Sequence, residues 1–167
     1  SSIFPNNQCL VELIESGAVT DIYTDYANGP VAECISKGKL KGEFLMHTHG
    51  GRPMVIESGA IKIDVAILGV PTVDKKGNGT GKIGKSACGS LGYAESDVTY
   101  AKKVVFVTDN LVDTLDDYQL DGKYCDYVLK VDAIGDPNGI VSGTTKITKD
   151  PVGLKIARMT AKLLDEF

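Results

Sequence analysis

Three times in succession the chain repeats one unit: a stretch with apolar residues on one helical face, a glycine, then a short apolar run. Leu10, Leu13 and Ile14 share a face ahead of Gly17, with Asn6 or Asn7 as the N-cap, and residues 21–24 follow as a strand. Gly29-Pro30 opens a second helix carrying Val31, Cys34 and Ile35, Gly38 closes it, and residues 44–47 form the next strand. A short helix over 53–58, stopped by Gly59, leads into the run 63–70. Alternating helix and strand in this way is the pattern of an α/β fold.

Two later runs, residues 104–107 and 127–131, are β-branched and almost unbroken in apolar side chains. Parallel strands covered on both faces have that composition, so we expect a mostly parallel sheet buried on both sides. Asp150-Pro151 supplies an N-cap and first-turn proline for a last helix, in which Leu154, Ala157, Ala161 and Leu164 share a face. Residues 113–124 are polar and weakly patterned and read as a surface excursion. Residues 72–92 read as a long glycine-rich loop or hairpin, and loops of that length in compact domains tend to be functional.

The 167 residues are 43% apolar and 24% charged, enough to bury one core and too little charge for disorder. Eighteen basic against 22 acidic side chains leave a net charge of −4, which argues against a nucleic-acid partner or a basic membrane-surface role. No apolar stretch nears the roughly 20 residues of a membrane span; the longest, 63–71, already holds Asp64 and Gly69. Cys9, Cys34, Cys88 and Cys125 form no CxxC pair and suit a reducing cytoplasm. The chain opens Ser1-Ser2-Ile3-Phe4 without an initiator methionine, basic leader or cleavage signal, and reads as a piece of something longer.

In open parallel sheets ligands collect where strands end, because loops converge there and helix N-termini aim N–H groups inward. Those ends fall at residues 25–30, 47–53, 71 onward and 108–111. His47-Thr48-His49-Gly50-Gly51-Arg52 puts two imidazoles, two glycines and a guanidinium at one of them, a set suited to a carboxylate. Two blander readings stay open: His47 as a satisfied core residue with the glycines making a turn, or an H-x-H metal site that would need carboxylates or thiols to finish it.

Gly79-Thr80-Gly81-Lys82-Ile83-Gly84-Lys85-Ser86 matches the GxxxxGK[ST] phosphate-loop pattern, and residues 104–109 imitate the strand ending in an aspartate for magnesium. A nucleotide-binding phosphate loop is thus the alternative functional reading. It must spring from a strand tip and run straight into a helix, whereas Ser86 is followed by Ala87-Cys88-Gly89-Ser90-Leu91-Gly92, too rich in glycine for a first helical turn. Cys88 stands where a nucleophile elbow needs glycine, and Lys85 is the sole nearby base that could activate its thiol. A small buried thiol in a tight hairpin is the plainer account.

Taken together, His47 to Arg52 and the run Ile63-Asp64-Val65-Ala66-Ile67-Leu68-Gly69-Val70-Pro71 resemble the citrate lyase alpha-subunit family, the citrate CoA-transferases. Asp74, Gly77-Asn78-Gly79 and Gly84-Lys85-Ser86-Ala87-Cys88-Gly89-Ser90-Leu91-Gly92-Tyr93-Ala94 follow in matching order. So do Val107-Thr108-Asp109-Asn110-Leu111, Val131-Asp132-Ala133-Ile134-Gly135-Asp136-Pro137, and Gly143-Thr144-Thr145-Lys146 before Asp150-Pro151. The resemblance runs from end to end and implies a single, truncated CoA-transferase-type domain over residues 1–167, an internal segment of a longer chain. It further implies a three-layer α/β/α fold of the NagB/RpiA/CoA-transferase type.

The implied activity exchanges acetyl for citrate on an acyl-carrier-protein thioester, giving citryl-carrier and acetate. Citrate, the acyl-carrier (gamma) subunit and the lyase (beta) subunit would be its partners. The implied cofactor is the CoA-like phosphopantetheine thioester carried by the carrier, with none bound covalently to this chain. A citrate carboxylate attacking the thioester would form a mixed anhydride, which the released thiolate would then attack at the citryl carbonyl. Such chemistry needs orientation and charge stabilisation rather than a protein nucleophile. From their chemistry and position, His49, Gly50, Gly51 and Arg52 are expected to receive the carboxylates. Asn78, Gly79, Lys85, Ser86 and Ser90 are expected to line the thioester or pantetheine side, although Asn78-Gly79 is equally a strong turn signal.

Overall fold

In the computed structural model, which describes residues 2–140 and 148–164, the chain forms two compact units, residues 1–62 and 63–167. The piece Gly143-Thr144-Thr145-Lys146 lies outside the described residues.

The first unit runs α1 (Cys9–Ser16), β1 (Ile22–Thr24), α2 (Gly29–Ser36), β2 (Phe44–Met46) and α3 (Gly51–Glu57). β1 and β2 pair in parallel with Ile22 opposite Phe44 and Thr24 opposite Met46. Ile3, Ile14, Ile22, Val31 and Cys34 form its core. Each helix ends where a glycine was expected: Gly17 has φ 78°, a left-handed conformation in which its N–H bonds back to the Ile14 carbonyl, and Gly38 and Gly59 follow suit. The N-cap expectation for α1 fails. Asn7 Oδ1 instead accepts from the Phe4 N–H at 2.7 Å, closing a turn, and α1 starts at Cys9 with Gln8 at the N-cap position and no side-chain cap. α3 begins two residues earlier than expected, for a reason described below.

The second unit holds β3 (Ile63–Gly69), β4 (Thr72–Asp74), β5 (Gly79–Thr80), α4 (Ala94–Tyr100), β6 (Ala101–Thr108), β7 (Leu111–Val112), β8 (Tyr127–Lys130) and α5 (Pro151–Leu164). β3, β6 and β8 make a wholly parallel sheet in that order, with Ile67 opposite Val105 and Val105 opposite Tyr127. A second small sheet, β5-β4-β7, pairs β4 antiparallel to β5 and parallel to β7. Ala66, Val70, Val73, Val98, Val104, Phe106 and Leu120 pack as one core, with Phe106 and Val73 wholly buried. Burying a side chain the size of Phe106 is worth about 3 kcal/mol. Asp150 Oδ2 accepts from the Gly153 N–H at 2.6 Å, capping α5 as its sequence predicts.

Mixed α/β structure with mainly parallel pairing is therefore present, but four local expectations need correction. The β3–β6–β8 sheet is covered on one face only. α4 packs against β3 and β6, while Ile67 (69% exposed) and Tyr127 (63%) on the other face meet solvent together with Val65 and Leu129. The apolar runs are real, and nothing among the described residues covers that second face. α5 likewise buries no side chain, so its shared face meets no core. The loop reading of residues 72–92 gives way to the hairpin reading, since β4 and β5 pair antiparallel and Thr72, Val73, Asp74, Thr80 and Ser86 are all buried. In the polar stretch 113–124, Leu120 enters the core, anchored by its carbonyl accepting from the Gly79 N–H at 2.9 Å.

Candidate functional site

The His47–Arg52 segment follows β2, and its geometry is set by Thr48. Thr48 Oγ1 accepts from the Gly51 N–H at 2.9 Å and its carbonyl accepts from the Arg52 N–H at 3.1 Å. A threonine bonding three residues ahead is a helix cap, which is why α3 begins at Gly51 and why these two N–H groups are already engaged. The expected cradle of backbone donors is thereby narrowed, and the side chains of His49 and Arg52 become the principal groups for an anion. A Cβ on Gly51 would stand 2.8 Å from Thr48 Oγ1, whereas one on Gly50 would meet nothing within 4 Å. Gly50 thus leaves the backbone open to approach.

His49 carries a partner that sequence inspection missed. Its Nδ1 lies 2.8 Å from Oδ2 of Asp25, and Asp25 Oδ1 accepts from the Ser2 hydroxyl at 2.8 Å. An ionised carboxylate only accepts, so Nδ1 carries the hydrogen. Burial pushes the Asp25 carboxyl up, but the hydrogen bonds from Ser2 and His49 carry it below the ordinary aspartate value. His47 differs from a satisfied core histidine, because its buried Nε2 meets no hydrogen-bond partner.

In the second unit, the remaining expected residues divide. Asn78 holds a turn: its side-chain N–H donates to Asp74 Oδ2 and its Oδ1 accepts from the Gly122 N–H, each at 2.9 Å. Asp74 is the hub of that turn, accepting also from the backbone N–H groups of Lys76, Asn78 and Leu115. Burial raises the Asp74 carboxyl, and these donors, led by Asn78, outweigh burial and hold it low. Gly79 lies in the core, where a Cβ would press to 2.9 Å from Val70. Ser90 is exposed and accepts from the Gly92 N–H at 3.3 Å.

Lys85 and Ser86 meet at Asp109, just past the end of β6. Asp109 Oδ2 accepts from the Ser86 hydroxyl at 2.8 Å and the Ile134 N–H at 3.2 Å, and Lys85 Nζ stands 3.7 Å away while donating to the Asp132 carbonyl. Burial opposes ionisation of Asp109, but Ser86, Ile134 and Lys85 together lower its pKa. Beside this cluster lies a cavity of about 160 Å³ lined by Gly69, Pro71, Ser86, Cys88, Ile134, Gly135, Asp136 and Ile140, at the carboxyl ends of β3 and β6. Burial pushes the Cys88 thiol above its usual value, so it stands there as a neutral thiol.

The phosphate-loop geometry is absent. Gly79–Thr80 is strand, residues 81–93 contain no helix, and α4 starts only at Ala94, so no helix N-terminus follows Ser86. Among the described residues no three histidine, cysteine or acidic side chains gather into a metal-binding group, and no helix is long and apolar enough to cross a membrane.

The family described as citrate lyase, alpha subunit (CitF), matches residues 1–166. The chain belongs to the citrate lyase alpha-subunit family. It is 43% identical over 165 residues to the citrate lyase alpha chain of Haemophilus influenzae, covering 98% of this chain and 33% of that one. Against the Escherichia coli citrate lyase alpha chain the figures are 43%, 98% and 32%. The chain thus spans about a third of the length of these citrate lyase relatives. A crystal structure described as the alpha subunit of citrate lyase in complex with citrate, from Streptococcus mutans, superposes with TM-score 0.82 at 42% identity, over 98% of this chain and 32% of that one. An alpha subunit of malonate decarboxylase from Acinetobacter baumannii shares the fold alone, at TM-score 0.57 and 22% identity over 73% of this chain and 23% of that one.

Within this citrate lyase alpha-subunit segment, Asp25, Thr48, Asp74 and Asp109 position the expected site residues, yet none was singled out for that part. Their partners lie up to 41 residues away, and the one available signal was that Asp25 and Asp109 each follow a strand.

Proposed function

We propose that this chain is part of a citrate CoA-transferase, which exchanges the acetyl group of an acyl-carrier thioester for citrate and releases acetate. The observation that carries the reading is the likeness, across 98% of the chain, to a citrate lyase alpha subunit whose crystal structure is in complex with citrate. We assign both compact units to one three-layer α/β/α CoA-transferase-type domain, a reading supported by the parallel pairing in each. The four free cysteines suit a cytoplasmic setting.

One citrate carboxylate oxygen attacks the thioester carbonyl carbon, the C–S bond breaks, and a mixed anhydride and thiolate result. The thiolate then attacks the citryl carbonyl, forming the new thioester as the acetate C–O bond breaks. His49 and Arg52, beside the open backbone of Gly50 and the capped Gly51, hold the carboxylates; a charge-assisted hydrogen bond of this kind contributes about 2 kcal/mol. Lys85 and Ser90 serve the thioester, Ser86 lines the side of its pantetheine arm, and Asn78 and Gly79 hold the hairpin that leads to them. The phosphopantetheine arm arrives on the carrier (gamma) subunit, and the product passes to the lyase (beta) subunit. Incubating the full-length subunit with acetyl-CoA as carrier surrogate and citrate tests the reading: citryl thioester and acetate should form in equal amounts, and failure to form either overturns it.

A further inference from the structure

We propose that Asp109 is a positioning residue that holds Ser86 as a hydrogen-bond acceptor inside a slot for the amide-bearing arm of the thioester. The inference rests on the acyl-exchange reading above and adds to it a basis for ligand selection.

The Asp109 side chain is wholly buried, and its ionised carboxylate can only accept. The 2.8 Å contact therefore uses the single hydrogen of the Ser86 hydroxyl. What Ser86 has left for a ligand is lone pairs. Asp109 Oδ1 is buried with no donor among the described residues, so the negative charge behind Ser86 is incompletely compensated there and reinforces its acceptor character.

The slot that Ser86 lines is otherwise made of Gly69, Pro71, Cys88, Ile134, Gly135, Asp136 and Ile140, at the strand ends where a parallel sheet gathers its ligands. Largely apolar walls whose side-chain oxygens belong to Ser86 and Asp136 select against anions: a carboxylate or phosphate would bring acceptors toward Ser86 and charge toward Asp109 and Asp136. A thioester carbonyl, also an acceptor, gains nothing from Ser86 either. The ligand that fits is neutral and slender and carries an N–H donor between methylene groups, which is a secondary amide of the pantetheine kind. Cys88, kept as a neutral thiol by burial, can line the slot without attacking the thioester.

Calorimetric titration of the full-length subunit with S-acetylpantetheine and two analogues, each with one amide N–H replaced by an ester oxygen, tests this. Wild type should bind one of the analogues about tenfold more weakly than the parent, the size of one lost hydrogen bond. Ser86→Ala should bind parent and analogues alike. Asp109→Asn, whose amide can donate to Ser86 and free its hydrogen, should shrink the gap to about twofold. Equal binding of all three compounds by wild type, no binding of any, or a gap that survives in Ser86→Ala overturns the proposal. Acyl exchange by the same preparation keeps the two readings apart: exchange without an ester penalty removes the slot alone, and absence of exchange removes the wider function.

Discussion

The Asp25 carboxylate, 5% exposed, lies 2.8 Å from Nδ1 of a His49 side chain that is 74% exposed. A buried anion thereby fixes the tautomer and direction of a solvent-facing imidazole. Asp25→Asn keeps the shape but removes that charge. We expect the citrate KM of the full-length subunit to rise several-fold with the thioester KM unchanged, measured by initial rates with each substrate varied in turn. Equal rises in both would mean that Asp25 is structural only.

Arg52 gives a sharper test of carboxylate recognition. Arg52→Ala should lower kcat/KM for citrate by at least tenfold, the loss of one charge-assisted contact of about 2 kcal/mol. Untouched citrate turnover would remove the guanidinium from the site.

Acid stability should report Asp74 and Asp109. Both have folded pKa values below the ordinary value of about 3.9. Their contribution to stability is therefore complete above pH ~4 and is lost as pH falls through the lowered folded values. Urea midpoints measured between pH 7 and pH 2.5 should drop steeply below pH 4. Asp74→Asn should flatten that drop, and Asp74→Ala, which strands the N–H groups of Lys76, Asn78 and Leu115, should cost about 3 kcal/mol at pH 7.

The two faces of the β3–β6–β8 sheet should respond differently to truncation. Phe106→Ala empties the centre of a core and should destabilise the 167-residue chain by about 4 kcal/mol. Ile67→Thr on the exposed face should change its stability by less than about 0.5 kcal/mol. Thermal unfolding of the two variants beside wild type checks the contrast.

Titration with ATP and magnesium should give no saturable binding to wild type or Lys85→Ala, since no helix begins after Ser86 to receive a phosphate.

What could be read in advance was whatever the chain encodes over short distances. The stops at Gly17, Gly38 and Gly59 depend on local backbone sterics, and the β3 run depends on unbroken apolar character; both are visible in a window of a few residues. α4 escaped notice because Ala94–Tyr100 is mostly polar or β-branched and offers only the small Ala94 and Val98 to the core among the described residues. Asp25 escaped for a different reason, and Asp109 was visible only as the end of a strand. Each owes its importance to partners brought close by folding, His49 and Ser86 being 24 and 23 residues from theirs, and an isolated aspartate carries no periodic signal.

Thr48 ties the loop carrying His49 to the helix behind it from two directions, through its side chain and its carbonyl. Capture of a flexible tricarboxylate then costs little ordering of the receiving loop, and the entropy lost on association falls mainly on the ligand. Gly51→Ala, by crowding Thr48 Oγ1, would return that freedom to the loop and slow capture without touching a charged group.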